Sequence, residues 1–156
     1  MHPLLIDKYD RPNLYQAEGQ FFFWGFDMDR VTHFHIPADN MRRAKIFYRE
    51  MFGWEFTETG MDQDYTMATT VKTDEKQMPL ESGAINGALF LRRRPEESPS
   101  VVVSVEDIRS YVKKVENTGG QIVSPVTQVE DFGLFAEIRD TEGNLLGLWQ
   151  DLTESD

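Results

Sequence analysis

Between Val31 and Phe56 the apolar and polar residues change period twice, marking out a strand, a helix and a second strand. From Val31 to Ile36 the period is two: Val31, His33 and His35 fall on one face, Thr32, Phe34 and Ile36 on the other. Pro37 should end this strand, and Asp39 or Asn40 can cap a helix by accepting from its free backbone N–H groups. Met41, Ala44, Phe47, Tyr48 and Met51 then recur at steps of three and four, an apolar stripe that must lie against something. Gly53 supplies a left-handed stop, and Trp54-Glu55-Phe56 begins a new strand.

The pattern continues and then repeats. Tyr65 to Val71 is rich in β-branched residues and reads as a strand, Lys72 to Ser82 as a charged loop, and Gly83 to Leu91 as another strand. Ser100 to Val105 is again a strand, Glu106 or Asp107 can cap, and Ile108, Tyr111, Val112 and Val115 form a second stripe. Gly119-Gly120 stops it and Gln121-Ile122-Val123 restarts a strand. Asp39 to Asp107 is 107 − 39 = 68 residues, and Gly53 to Gly120 is 120 − 53 = 67. Gly87 and Gly147 match at 147 − 87 = 60, as expected if the first half carries the longer loop. The fold class predicted is α+β: two βαβββ modules whose mixed sheets curl into a trough. Module one takes residues 31–94 and module two 99–152 of a single domain 31–152. Residues 1–30 form an N-terminal extension whose aromatic run, Phe21 to Phe26, should be buried against the domain or a partner.

Composition narrows the function. A chain of 156 residues with 40% hydrophobic and 28% charged residues suits one soluble domain. Sixteen basic against 27 acidic residues give a formal charge of −11, which argues against nucleic acid. The run Arg92-Arg93-Arg94 precedes Pro95-Glu96-Glu97 and reads as a strand end with local ion pairs. Cysteine is absent, excluding disulfides, thiolate ligands and cysteine nucleophiles and suiting the cytoplasm. Neither a membrane span nor a secretion signal is expected. Serines 98, 100 and 104 lack a nucleophile-elbow setting, and Asp140 to Asn144 reads as a turn rather than a calcium loop.

The ordered pieces His33-Phe34-His35-Ile36-Pro37-Ala38-Asp39, Arg43-Ala44, Phe47-Tyr48 and Phe52-Gly53-Trp54 carry a family resemblance. So do Val105-Glu106-Asp107-Ile108, Gly119-Gly120, Asp140 to Asn144 and Leu148-Trp149-Gln150. Together they resemble the vicinal-oxygen-chelate superfamily, also called the glyoxalase, bleomycin resistance and extradiol dioxygenase family. That resemblance implies a trough in which His and Glu or Gln from both modules hold a divalent ion and polarise a substrate's vicinal oxygens. His33 matches the first ligand. The matching place in the second half falls at Ser100, or at Val101 with a register shift of one, and the acids fall at Gly87 and Gly147. Three of the four ligands implied are therefore missing, and His33 is the only position matching a family ligand.

The function expected is a protein that binds a small organic molecule in the trough without a catalytic metal. His33, His35, Tyr65, Glu137 and Trp149 are the expected binding residues, and His33 and His35 the candidates for catalysis. Trp54 is expected to pack in the core, and Gly87 and Gly147 to clear the trough floor. The alternative is a metal-dependent lyase, isomerase or dioxygenase with an atypical site at His33 and His35, Glu137 being a third ligand. No cofactor is expected under the first reading and a divalent metal under the second. The partners expected are the small-molecule ligand and a second copy in a homodimer.

Overall fold

A computed structural model describes residues 28–60 and 62–153; the aromatic run of the extension lies outside them. Module one comprises β1 (Arg30–Ala38), α1 (Met41–Phe52), β2 (Glu55–Glu58), β3 (Tyr65–Thr69) and β4 (Asn86–Leu91). Module two comprises β5 (Ser100–Ser104), α2 (Ile108–Val115), β6 (Gln121–Val129), β7 (Gly133–Arg139) and β8 (Leu145–Asp151). Their strands join in one mixed sheet of order β2-β3-β4-β1-β5-β8-β7-β6. The two first strands, β1 and β5, pair antiparallel at its centre, while each module's first strand pairs parallel with its last. The trough walls therefore both come from one chain.

Local chemistry accounts for most of the boundaries. Asn40 caps α1, accepting from the backbone N–H of Arg43 at 2.9 Å, and Gly53 stops it at φ 74°. Pro37 does not end β1. It pairs with Phe90, and the Ala38 carbonyl accepts from the N–H of Arg92 at 2.9 Å, so the parallel ladder runs past the proline. Asp107 occupies the cap position of α2 without a side-chain bond; the Gln150 amide oxygen on β8 accepts from the Ile108 N–H at 2.9 Å instead. Asp140 to Asn144 is a turn closed on the Asp140 carboxylate, which accepts from the N–H groups of Glu142 and Asn144.

Both helices lie on the face of the sheet away from the trough. Beneath α2, Val105, Ile108, Leu134, Ala136 and Leu148 form a buried cluster. In module one Leu89, Ala68 and Thr66 are buried on the corresponding face, but α1 buries none of its own residues. Met41, Ala44 and Tyr48 are its half-buried apolar positions; Phe47 and Met51 of the expected stripe face solvent. Trp54 belongs to this outer layer, its ring stacked on Tyr48 at 4.9 Å and tilted against Phe34 at 5.4 Å. Among the described residues no helix is long and apolar enough to cross a membrane.

Candidate functional site

Strand alternation places His33 and His35 on the trough face of β1, opposite Phe34. Beside them β4 contributes Ala88 and Phe90, and β3 contributes Tyr65 and Met67. On the other module β7 turns Phe135 and Glu137 the same way, and β8 turns Gly147 and Trp149. The outer-face neighbours Thr66, Ala68, Leu89, Leu134, Ala136 and Leu148 are buried. His33, His35, Tyr65, Phe90, Phe135 and Trp149 are only partly covered.

The curl of the sheet brings the two modules together. A flat sheet would hold β1 and β7, three strands apart, about 14 Å from each other. The rings of His35 and Phe135 are instead 6.1 Å apart. Around His35 also stand Tyr65 at 5.9 Å, Phe90 at 6.0 Å and His33 at 6.2 Å, mostly edge to face. The Tyr65 hydroxyl and His35 Nε2 share a hydrogen bond of 3.3 Å, and His33 Nδ1 bonds the Thr32 carbonyl at 3.2 Å. Burial pushes the His35 pKa down to about 4, with His33 beside it lowering it further. Burial also lowers the His33 pKa, against the opposing pull of the Thr32 carbonyl. Burial raises the Tyr65 hydroxyl to about 12. Near pH 7 the cluster is uncharged and rich in hydrogen-bonding atoms.

A second contact across the trough joins Arg94, just past β4, to Glu137 on β7 at 3.4 Å. Arg94 also meets Glu97 at 3.1 Å and Glu96 at 3.9 Å. Within the arginine run only Arg94 makes the local pairs expected, with Glu96 and Glu97; Arg92 reaches back to Asp39 and Arg93 to Asp62 and Asp64, distant in sequence but within module one.

Four of the five expected binding residues therefore divide between the walls: His33 and His35 with Tyr65 on one, Trp149 on the other, its ring over Gly133. Glu137 faces the trough but is turned to Arg94 rather than joined to the histidines. Among the described residues, no three of His, Asp and Glu gather as ligands for a metal ion. At the positions the resemblance implies for further ligands, Ser100 offers one hydroxyl and Gly147 no side-chain donor. Ala88, which takes the register place expected of Gly87, offers none, so with His33 they do not make up a ligand set for a divalent ion.

The assignment of Gly87 to the trough floor is corrected. His35 pairs with Ala88, and its counterpart Val102 (35 + 67 = 102) pairs with Gly147, so the last strands correspond at 147 − 88 = 59, not 60. Gly87 lies on the opposite face, where a Cβ would fall 2.3 Å from the Phe34 carbonyl oxygen. Phe90, Phe135 and Arg94 are further trough residues beyond those expected. Alternation from Tyr65 and Ala88 could have found Phe90; Phe135 and Arg94 depend on the curl.

Known proteins agree with this architecture. The family model described as the Glyoxalase/Bleomycin resistance protein/Dioxygenase superfamily matches residues 30–148. The "Putative glyoxylase CFP32" of Mycobacterium bovis is 32% identical over 122 residues, covering 74% of this chain. The chain spans only 43% of that relative's length. A glyoxalase/bleomycin resistance protein/dioxygenase superfamily member from Vibrio splendidus 12B01 superposes with TM-score 0.55 at 13% identity, over 80% of this chain and all of that one. A glyoxalase I mutant from Zea mays gives TM-score 0.56 at 17% identity, over 87% of this chain and 50% of that one.

Proposed function

Because the chain belongs to the glyoxalase/bleomycin resistance protein/dioxygenase superfamily, we propose that it binds a small organic molecule in its trough, beside His33 and His35, without a catalytic metal. The observation that carries this reading is the contrast between the two faces of one sheet. On the helix side Thr66, Ala68, Leu89, Leu134, Ala136 and Leu148 are buried. On the trough side, around the buried Ala88 and Val102, the larger side chains His33, His35, Tyr65, Phe90, Phe135 and Trp149 are only partly covered. A broad thermal-shift screen of small planar compounds tests it, with hits confirmed by calorimetry. Binding that is lost in His35→Ala while the circular dichroism is unchanged supports the reading. A screen without a single hit overturns it.

A metal-dependent lyase, isomerase or dioxygenase is the second reading. It is favoured by two histidines on one strand face and by a relative named as a glyoxylase. Metal analysis after loading with zinc, nickel, iron or manganese separates the two. Stoichiometric metal that is lost in His33→Ala would place the enzyme first. We also propose a homodimer in the cytoplasm. Exposed Phe47, Met51 and Phe52 support self-association, and a cysteine-free chain suits a reducing compartment. A monomer by light scattering removes the dimer.

A further inference from the structure

We infer that the trough selects an uncharged ligand, a flat compound presenting one carbonyl or hydroxyl oxygen, over an anion of the same shape. This rests on the reading that the trough binds a small molecule. Its recognising atoms are the Tyr65 hydroxyl and His35 Nε2, which hold each other at 3.3 Å, near the long end for such a bond. In one histidine tautomer Nε2–H donates to the Tyr65 oxygen, leaving the tyrosine O–H free to donate to a ligand carbonyl. In the other, Tyr65 donates to Nε2 and its oxygen can accept from a ligand hydroxyl. Either arrangement serves a neutral oxygen.

The surroundings disfavour charge. Phe90 and Phe135 flank His35 with their rings at 6.0 and 6.1 Å, offering flat apolar surface and no counter-ion. Among the described residues of the trough walls, the cation that could answer a carboxylate is Arg94, and it already meets Glu97 at 3.1 Å and Glu137 at 3.4 Å. The acid that could answer an ammonium, Glu137, is held by that same guanidinium. A charged ligand would give up its hydration without a free partner among the described wall residues, and that costs more than burying a hydrogen-bonded ketone. An overall charge of −11 adds to the penalty for an anion.

Three probes of nearly the same shape separate the contributions: acetophenone, benzoate and α-methylstyrene, titrated into the full chain and followed by chemical-shift perturbation. Acetophenone should bind at least about tenfold more tightly than benzoate, the scale of an uncompensated polar burial. It should bind about three- to tenfold more tightly than α-methylstyrene, which lacks the oxygen. Tyr65→Phe, which keeps the ring, should abolish the preference for acetophenone over α-methylstyrene while still binding both. His35→Gln, keeping a hydrogen-bonding nitrogen, should retain part of it. Benzoate binding as tightly as acetophenone overturns the inference and leaves the trough as a binding site. So does a ketone preference that survives Tyr65→Phe. If none of the three binds, the trough-binding reading falls, and the inference with it.

Discussion

The two helices occupy equivalent places in their modules and are covered very differently. In α2 the stripe is sunk into the sheet, with Ile108 at 0% and Val115 at 7% exposure. In α1 Phe47, Met51 and Phe52 stand 53%, 59% and 56% exposed, and the helix is held by the stack of Tyr48 on Trp54. The floors differ in length: β6, β7 and β8 have 9, 7 and 7 residues, whereas β2, β3 and β4 have 4, 5 and 6. An apolar stripe shows where a helix forms. How much of it is buried depends on the strands beneath.

The largest effect should come from testing that contrast directly. Ile108→Ala removes a fully buried side chain from the centre of the cluster and should cost about 3–4 kcal/mol in urea unfolding. Phe47→Ala, truncating a larger but half-exposed ring, should cost under about 1 kcal/mol. Comparable losses at the two sites would mean that the face of α1 is covered in solution.

The late-strand glycines give the next contrast. At Gly87 a Cβ would meet the Phe34 carbonyl oxygen at 2.3 Å and its ring at 2.4 Å. A backbone atom cannot step aside, so Gly87→Ala should cost about 2–3 kcal/mol. At Gly147 the obstacles are side chains, the Phe135 ring at 2.7 Å and Val102 at 3.1 Å. Gly147→Ala should cost about 1 kcal/mol and shift the Phe135 and His35 resonances together, since those rings touch. Equal costs would undo the difference in facing between the two strands.

This pair also marks where the sequence stops being readable. Period and caps sufficed for the repeated strand-helix-strand unit, because Asn40, Gly53 and the stripes act within a few residues of themselves. The alternation that put His33 and His35 on one face also held, but a bulge between Val31 and His33 turns Val31, expected beside them, to the other face with Val103. The final strand of module one is read one residue off, since the intervening loops differ in length and glycine matches glycine by chance, while Gly147 of module two falls where expected. Loop length carries no periodicity to correct such a slip. Contacts made by curl, His35 on Phe135 or Arg94 on Glu137, join residues 100 and 43 positions apart (135 − 35 and 137 − 94) and left no local pattern. The same holds for Gln150 capping α2 from 42 residues away.

A pH experiment sharpens the comparison between the first strands, where His35 corresponds to Val102. With a folded pKa of about 4, against 6.5 as the ordinary value, His35 binds its proton more readily in the unfolded chain. Stability should therefore be unaffected above pH 6.5 and fall as pH drops from about 6.5 to about 4. The loss should be on the order of 2 kcal/mol. His35→Val makes the modules alike here and should flatten that part of the stability curve. The check is the difference between wild type and variant in denaturant midpoints at pH 7 and pH 4.5, which subtracts the carboxylates common to both.

The smallest effect concerns ion pairs that stay inside a module against the one among the described residues that crosses between modules. Lys45 and Glu58, 2.7 Å apart, tie α1 to β2, and the glutamate side chain is 58% exposed. Arg94 and Glu137 span the trough at 3.4 Å with side chains 39% and 29% exposed. Screening should keep the coupling in either double-mutant cycle below about 1 kcal/mol. The crossing pair should nevertheless do something its counterpart cannot. Arg94→Met frees Glu137 on the trough wall, so benzylamine, a flat cation, should bind that variant more tightly than wild type in the same titration. Lys45→Met should leave benzylamine binding unchanged. If Arg94→Met leaves it unchanged as well, Glu137 does not face the space a ligand would enter, and the wall of module two is built from Phe135 and Trp149 without it.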